Sequence, residues 1–432
     1  MEQFLYYLKV SLKSIRRAPL PYSLTILILS LGLGVFFANA TFYYRLNLDP
    51  LPHKSDKLFF PFMNLVPYDC QNCEPPNVLS YSNVQKLGAT DIPSAKAAMY
   101  SADGYLRLTP QQPPMPVKIR LTQPDFFRMF EVPFLHGSVW PDASARAEVI
   151  LSRQTAEKLF GDTNVVGRRL TLDDFEYTVS AVLADWAMLP RLFDANNNNH
   201  LSEVEDIYLP LETGYDRNYL SNSQSSSFQD ADYRKLATDG RTKAIHQLQF
   251  WVQLDTVEQQ QAYRQFMANL TADEKKAGRH PSAINNKLVG MRDIVVHFNK
   301  DGGDIKAFAL VTLLFLLVCL FNASHLSLNR YLSNQYEISL RRALGASRWH
   351  IQQQALADVL LMASITSVAA LLIGYSGISL MNELLPANRL FSSWDWTLLL
   401  SLLAVTLGCS YLVTLYPSLR ASFGALNQQL KE

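Results

Sequence analysis

The sequence predicts a membrane protein with four transmembrane α-helices, arranged as one plus three, and a large extracytoplasmic α+β domain inserted between the first and second spans. Two observations support this fold class. The chain is 48% hydrophobic and 18% charged, which is too apolar for an average soluble protein and too charged for one embedded wholly in a bilayer. Four charge-free apolar runs also stand apart from one long segment of mixed composition. The net charge of +1 gives no indication of a nucleic-acid partner.

The apolar runs define the four spans. Residues 1–17 carry apolar side chains at helical spacing with lysines and arginines between them, which predicts an amphipathic helix at the membrane interface. The charge-free run 18–44 is too long for the core of a cleaved signal peptide, so we expect it to be retained as the first span. The runs 307–329, 359–382 and 396–419 are each long enough to cross about 30 Å at about 1.5 Å per residue.

Basic residues in the short flanks predict the orientation. Four lysines and arginines precede the first span, four arginines lie between the second and third, and Arg389 alone lies between the third and fourth. The positive-inside rule then places both termini and the 330–358 loop in the cytoplasm. The predicted segments are a cytoplasmic amphipathic helix (1–17), transmembrane helix 1 (18–44), an extracytoplasmic core domain (45–304) with an inserted subdomain at about 186–245, transmembrane helix 2 (305–329), a cytoplasmic loop (330–358), transmembrane helix 3 (359–382), a short outer loop (383–395), transmembrane helix 4 (396–419) and a cytoplasmic tail (420–432).

The stretch from Gln335 to Ser347 combines charged residues with helix-boundary residues. Glu337 and Arg341 stand four positions apart, in the order that supports a helix. Gly345 should end that helix, because glycine adopts the left-handed conformation without a side-chain clash. Ser347 can then cap the helix that leads into the third span. We therefore expect a short amphipathic helix joined rigidly to a spanning helix.

This stretch closely resembles a known family. Its sequence from Glu337 to Ser347, EISLRRALGAS, is similar to the cytoplasmic signature of the MacB/FtsX/LolC class of ABC-transporter permeases, although the family usually has glycine where Ser339 stands. The alternative is an unrelated cytosolic loop, which the RRALGA core disfavours. Motifs in the insert also match, in order and spacing, the periplasmic core domain of MacB-like permeases, and they lie at residues 122–127, 134–137, 149–152, 158–162 and 166–170.

The resemblance implies a permease subunit of the bacterial inner membrane. It would pair with a second permease protomer, identical or homologous, and with a dimer of cytosolic ABC ATPases that binds ATP and Mg. The chain itself would need no cofactor and would be no enzyme. Many relatives also use a periplasmic adaptor and a TolC-like outer-membrane channel. The implied ATPase-coupling residues are Glu337, Arg341, Arg342, Leu344, Gly345, Ala346 and Arg348.

Within this family the leading function is export of a peptide, antibiotic or similar small molecule, driven by motion that the helices transmit to the periplasmic domain. One alternative is a permease that extracts lipoproteins, as LolC and LolE do. Another is an FtsX-like regulator that activates a cell-wall hydrolase without transport. The large insert favours export.

Hydrophobic periodicity in the insert predicts alternating strands and helices. A hairpin turn is expected at Asp173 and Asp174, and the polar runs 196–200 and 221–227 are expected to be loops at the edges of the inserted subdomain. The predicted strands are 117–121, 148–152, 168–172, 175–183, 249–254 and 291–298, and the predicted helices are 125–130, 154–160 and 263–270.

Two sites in the insert have competing interpretations. Cys70 and Cys73 form a Cys-x-x-Cys pair, and outside the cytoplasm a disulfide is favoured over a metal site because no second pair has zinc spacing. The segment Asp194–Glu205 places oxygen-bearing side chains at five positions of a calcium-loop template, with Asn199 where the template has glycine. A solvated loop is the favoured interpretation there, and calcium is the alternative.

Other motifs point to packing rather than catalysis. No phosphate-cradling loop or hydrolase motif stands in the sequence, so the chain is not expected to hydrolyse ATP alone. Gly374 and Gly377 lie inside the third span, where small residues allow close helix packing. Asn322 and His325 lie inside the second span and could mark a functional pathway. Bonding to a neighbouring helix is the favoured interpretation for both.

Overall fold

The protein, described here from a computed structural model, divides into two compact units. Met1–Arg45 and Asp301–Glu432 form one, which we call the membrane unit, and Leu46–Lys300 form the other, which we call the insert domain. The residues that the structure describes are 2–46, 48–63, 74–109, 111–141, 146–186, 188, 190–197, 204–222, 226–227, 241, 245–278, 284–298, 303–333, 336, 340, 343–345, 347–384 and 396–423.

The secondary structure over these residues is as follows. The helices are α1 (Glu2–Arg17), α2 (Pro19–Leu46), α3 (Tyr81–Gly88), α4 (Asp125–Met129), α5 (Arg153–Phe160), α6 (Leu211–Asp216), α7 (Val257–Lys276), α8 (Met291–Phe298), α9 (Gly303–Ser333), α10 (Arg348–Leu384) and α11 (Trp396–Phe423). The strands are β1 (Leu58–Phe62), β2 (Leu79–Ser80), β3 (Ala95–Arg107), β4 (Met115–Thr122), β5 (Phe134–Gly137), β6 (Glu148–Leu151), β7 (Arg169–Leu172), β8 (Phe175–Leu183), β9 (Ile207–Pro210), β10 (Ser226–Ser227), β11 (Ile245–Gln253) and β12 (Lys287–Gly290).

The membrane unit has the predicted arrangement of one span followed by three. Within the described residues, α2, α9, α10 and α11 are each long and apolar enough to cross a bilayer, over Pro19–Tyr44, Ala307–Arg330, Gln352–Leu380 and Trp396–Val413. The predicted amphipathic helix is present as α1, and it packs against α10. Helix α10 begins at Arg348, directly after the predicted cap at Ser347, and its span begins at Gln352, earlier than the predicted residue 359.

Glycines bring the spanning helices close together. A Cβ atom added at Gly34 of α2 would lie 2.8 Å from the Cβ of Ile373 and 3.0 Å from the carbonyl oxygen of Ala370, both in α10. A Cβ at Gly374 would lie 3.2 Å from the carbonyl oxygen of Gly34. On another side of α2, a Cβ at Gly32 would lie 2.7 Å from the Cβ of Cys319 in α9. These contacts confirm close packing as the role of Gly374, and they join α2 to both α9 and α10.

The insert domain is built on one twisted sheet. Among the described residues twelve strands form it, with β12, β1, β11, β3, β4, β9, β6, β8 and β5 in spatial order along the main path. The side chains of β3 alternate between two apolar clusters, with Ala98 and Tyr100 in one and Ala97 and Met99 in the other. Because both faces of the central strands are buried, polar side chains such as Arg120 of β4 and Gln249 of β11 are enclosed in the domain together with the apolar ones.

Most predicted elements of the insert are confirmed. The turn between β7 and β8 lies at Asp173 and Asp174, whose φ values of 45° and 69° are left-handed and suit a tight two-residue hairpin. The prediction of a strand at 291–298 is wrong, because these residues form helix α8. Met291 and Ile294 are both fully buried three positions apart, which is a helical spacing, and the strand of this region is β12 just before them.

The predicted inserted subdomain at 186–245 is also corrected. Strand β9 lies inside this interval, yet it pairs with β4 in parallel and with β6 antiparallel in the middle of the common sheet. All four residues of β9 are buried, so it belongs to the core of the domain. Part of the run 221–227, expected to be a loop, forms β10 and pairs with β11.

The contact of α2 with α10 can be tested with two matched substitutions. Gly34→Leu would force apart two helix backbones, and overpacking of this kind costs about 1–3 kcal/mol. Gly408→Leu in α11 is the control, because a Cβ there has no atom within 4 Å. We expect Gly34→Leu to lower the melting temperature of the purified protein in detergent and Gly408→Leu not to lower it. Equal melting temperatures would show that the contact is not tight.

Candidate functional site

Helices α9 and α10 are joined by residues 334–347, whose described members Tyr336, Leu340, Ala343, Leu344, Gly345 and Ser347 we call the inter-helix segment. The N–H of Leu344 donates to the carbonyl oxygen of Leu340 at 3.0 Å, as in a helical turn. Gly345 follows with a φ of 98°, a left-handed conformation in which other residues are strained. A helical turn therefore ends at Gly345, as the sequence predicts.

The next helix begins at once. The Oγ of Ser347 accepts a hydrogen bond from the N–H of His350 at 3.3 Å, which caps the first turn of α10. Two residues therefore separate Gly345 from the first residue of α10. With so short a connection, a displacement of the inter-helix segment would also displace the start of α10.

The inter-helix segment presents apolar side chains to its surroundings. Tyr336 is 62% exposed, Leu340 is 42% exposed and Leu344 is 80% exposed. Their spacing of four places them along one helical face. Trp349, in the first turn of α10, is 65% exposed. Exposed large apolar side chains at a helical spacing are typical of a surface that docks into a groove.

The remaining predicted coupling residues lie mostly outside the described residues. This applies to Glu337, Arg341, Arg342 and Ala346. Arg348 is the first residue of α10, and only its backbone is described. The predicted disulfide of Cys70 and Cys73 also falls outside the described residues.

A second polar cluster lies inside the insert domain. The Nη2 atom of Arg120 in β4 donates to Asp194 Oδ2 at 2.6 Å and also to Glu205 Oε1. The Nη2 atom of Arg191 donates to the same two carboxylates, at 3.0 Å for Asp194 Oδ2. Gln249 of β11 donates to Asp194 Oδ1 at 2.7 Å. Two cations and two anions are thus brought together where the segment from Arg191 to Glu205 meets the sheet.

This ionic cluster is deeply buried. Arg120 is 0% exposed, and Asp194 and Glu205 are each 2% exposed. Burial alone would raise the pKa of both carboxyl groups, but the charges of Arg120 and Arg191 outweigh it and lower both pKa values. Burial alone would likewise lower the pKa of Arg120, yet the two carboxylates raise it. Asp194, Glu205 and Arg120 are therefore charged at neutral pH.

The cluster corrects the interpretation of the segment Asp194–Glu205. The first and last ligands of the calcium template each accept hydrogen bonds from two arginines instead of facing a metal ion. The favoured interpretation, a solvated loop, is also wrong at both ends, because Asp194 and Glu205 are buried. Over the part of the chain that the structure describes, no group of three or more His, Cys, Asp or Glu side chains could hold a metal ion.

Three further positions differ from expectation in the single chain. Asn322 and His325, for which bonding to a neighbouring helix was favoured, are both exposed on the surface of α9 in the single chain. Arg330, counted in the sequence only as a cytoplasmic flanking charge, is 5% exposed. No sequence pattern identifies Arg330 or Arg120 as buried, because their partners come from distant parts of the chain.

Two family profiles match this chain. The profile of the MacB-like periplasmic core domain matches residues 22–270, and that of the FtsX-like permease C-terminal domain matches residues 307–425. The chain therefore belongs to the MacB/FtsX class of ABC-transporter permeases. It is a multi-pass membrane protein whose α+β insert is an extracytoplasmic domain of the MacB-like kind. Among proteins with curated descriptions, a sequence search finds no significant match.

Solved structures of similar domains have low sequence identity to this chain. The periplasmic region of MacB from Actinobacillus actinomycetemcomitans is 11% identical, with 58% of this chain and 97% of that chain covered, at a TM-score of 0.37. The extracellular domain of the ABC-type transporter YknZ from Gram-positive bacteria is 15% identical, with 54% and 100% covered, at a TM-score of 0.34. The assignment rests on the family profiles and not on these likenesses.

The ionic cluster leads to a prediction about stability. Arg120→Met leaves two buried carboxylates with one arginine, and breaking a buried charge network in this way costs about 3–5 kcal/mol. Arg169→Met is the control, because its partner Glu176 is 65% exposed and Arg169 itself is 71% exposed, so its loss should cost less than about 1 kcal/mol. Amide hydrogen exchange in β4 and β11 of the purified protein at pH 7 should rise for Arg120→Met alone. Equal protection in both variants would contradict a stabilising role for the cluster.

The same cluster predicts a pH dependence of stability. Both carboxyl groups have pKa values below those of the unfolded chain, which are about 4. Their contribution to stability is therefore fully present above about pH 4 and is lost as the pH falls through the lowered folded-state values. Arg120→Met should flatten this acid-side loss of the melting temperature. An unchanged pH profile would mean that other carboxylates dominate it.

Proposed function

We propose that this protein is the permease subunit of an ABC-type exporter, in which a separate cytosolic ATPase drives a conformational change of the extracytoplasmic domain. The observation that carries the proposal is the inter-helix segment. Its described residues carry exposed apolar side chains at a helical spacing, a helical turn ends at Gly345, and two residues separate Gly345 from the capped helix α10. An ATPase that binds this element can move α10 as a lever.

The proposed ATPase contact includes the charged neighbours of this apolar face. The residues are Glu337, Arg341, Arg342, Leu344, Gly345, Ala346 and Arg348. Charged groups around an apolar anchor favour correct register and fast association. ATP and Mg would be held by the ATPase, and this chain would bind neither. The partner ATPase would be a dimer, which requires two permease protomers.

The exposed polar side chains of α9 support a second protomer. Asn322 and His325 lie within a membrane-spanning helix and are exposed in the single chain. Polar groups that face lipid are costly, so a neighbouring permease chain, identical or homologous, is proposed to cover them. The chain would lie in the bacterial inner membrane with both termini in the cytoplasm. Cys70 and Cys73 are proposed to form a disulfide in the periplasm.

Export of a peptide, antibiotic or similar small molecule with a periplasmic adaptor and a TolC-like channel is the proposed task. Purification of the permease from cross-linked native membranes, followed by identification of its partners, tests this. An ATPase together with an adaptor supports export. A cell-wall hydrolase or a lipoprotein carrier in place of the adaptor would contradict it and assign the other task.

The orientation can be tested by thiol labelling. In a variant without native cysteines, Ser347→Cys should react with a membrane-impermeant maleimide only when the reagent reaches the cytoplasmic side. Glu176→Cys, at a position 65% exposed in the insert domain, should react from the outside of intact spheroplasts. Labelling of both cysteines from the same side is incompatible with the proposed topology.

Leu344 should be a major anchor for the ATPase. Leu344→Asp places a charge where an apolar contact is expected, and loss of such an anchor costs about 2 kcal/mol or more, or a loss of affinity of about 30-fold or more. Leu220→Asp is the matched control, because Leu220 is 62% exposed but lies in the insert domain. Pull-down of the ATPase at equal permease levels should fail for Leu344→Asp only. Normal binding by Leu344→Asp would show that the inter-helix segment is only a connector.

A further inference from the structure

An arginine at the end of a spanning helix is turned into the helix bundle. Arg330 is the last residue of the span in α9 and is 5% exposed. Long basic side chains at this level normally extend toward water. The guanidinium group lies instead over the ring of Tyr22 in α2, with its carbon 4.1 Å from the ring centroid.

The surrounding contacts reach four helices. Nη1 of Arg330 donates to Sδ of Met362 in α10 at 3.3 Å, and Nη2 donates to Oγ of Ser327 in α9 at 3.3 Å. Tyr22 is 2% exposed, and its hydroxyl donates to Oγ of Ser14 in α1 at 3.1 Å. These five residues, which we call the Arg330 cluster, join α1, α2, α9 and α10.

The contacts of this cluster are directional rather than simply apolar. A cation over an aromatic ring and hydrogen bonds from a guanidinium require a particular register between the helices. Burial of a guanidinium is costly and such contacts roughly offset that cost. The cluster is therefore better suited to fixing helix register than to adding stability.

The position of the cluster relates it to the path of motion. Helix α10 follows the inter-helix segment directly. Helices α2 and α9 are the two through which the chain enters and leaves the insert domain, since α2 ends at Leu46 and α9 begins at Gly303. Arg330 is a residue of α9 that contacts side chains of both α2 and α10.

We infer that Arg330 is a positioning residue that makes α2 and α9 follow α10 when the ATPase moves the inter-helix segment. This inference rests on the proposed function and adds to it the residue through which motion passes between helices. Without the guanidinium, α10 would still move with the ATPase, but α2 and α9 would lag behind it.

The test compares the response of two helices to nucleotide. Reporter cysteines replace Phe308 in α9 and Leu380 in α10, which are 66% and 56% exposed near the outer ends of their spans. In a background without native cysteines, the full permease–ATPase complex in lipid nanodiscs is treated with a maleimide, without nucleotide and after trapping with ATP and vanadate. The rate of labelling at each position and the rate of ATP hydrolysis are measured.

Arg330→Met should separate the two responses. ATP hydrolysis and the nucleotide response at position 380 should stay close to those of the complex with Arg330. The nucleotide response at position 308 should fall about 2- to 30-fold, the range expected when a coupling contact is lost. Tyr22→Leu should behave in the same way, whereas Tyr22→Phe keeps the ring and should retain most of the response. Arg330→Lys keeps the charge without the planar fork and should restore it in part.

Arg17→Met is the matched control. Arg17 is an exposed basic residue at the end of α1, so its loss should alter neither response. An unchanged response at position 308 in Arg330→Met would overturn the inference while leaving the proposed function intact. Loss of both responses together with ATPase binding would overturn it by showing a purely structural role. If the complex with Arg330 responds at neither position although ATP is hydrolysed, the proposed function itself fails.

Discussion

The close contact between α2 and α10 is the interaction on which the account of this protein depends. Helix α10 starts at the proposed ATPase contact, and α2 leads into the extracytoplasmic domain. Gly34 and Gly374 let the two backbones approach more closely than any larger side chain would allow. Close packing of this kind keeps α2 beside α10 at mid-span. The directional contacts of the Arg330 cluster then fix the register in which α2 and α9 follow a displacement of α10.

The extracytoplasmic domain complements this arrangement by being rigid at its centre. Its central strands are buried on both faces, and the ionic cluster ties the segment from Arg191 to Glu205 to β4 and β11. The rings of Phe193 and Trp251 cover this region, and the indole N–H of Trp251 donates to the carbonyl oxygen of Phe193 at 3.1 Å. A domain built in this way can carry motion from its ends without absorbing it in its core. The proposed function, in which the domain is moved by the helices, requires such a core.

Local features were predictable from the sequence. The spans follow from uninterrupted apolar length, the β7–β8 hairpin follows from the two aspartates at its turn, and the start of α10 follows from the glycine and serine before it. Each of these depends on residues within one turn or strand of one another. The family signature between the second and third spans was likewise readable, because its residues are contiguous.

Features that depend on distant contacts were not predictable. Residues 291–298 have the β-branched run of a strand, yet burial of Met291 and Ile294 on one side selects a helix. Asp194 and Glu205 match a calcium template because spacing alone cannot show that Arg120, far away in the sequence, supplies the opposite charge. Arg330 is similar, since its inward orientation depends on Tyr22 of another helix.

In the proposed function, nucleotide bound by the ATPase changes the extracytoplasmic domain through the helices. Amide hydrogen exchange of the reconstituted permease–ATPase complex, measured without nucleotide and after trapping with ATP and vanadate, tests this most directly. The account predicts altered exchange in residues 48–63 and 284–298, which continue α2 and precede α9, with unchanged protection at the centre of the sheet in β3, β4 and β11. Identical exchange in the two end segments, in a complex that hydrolyses ATP, would contradict it.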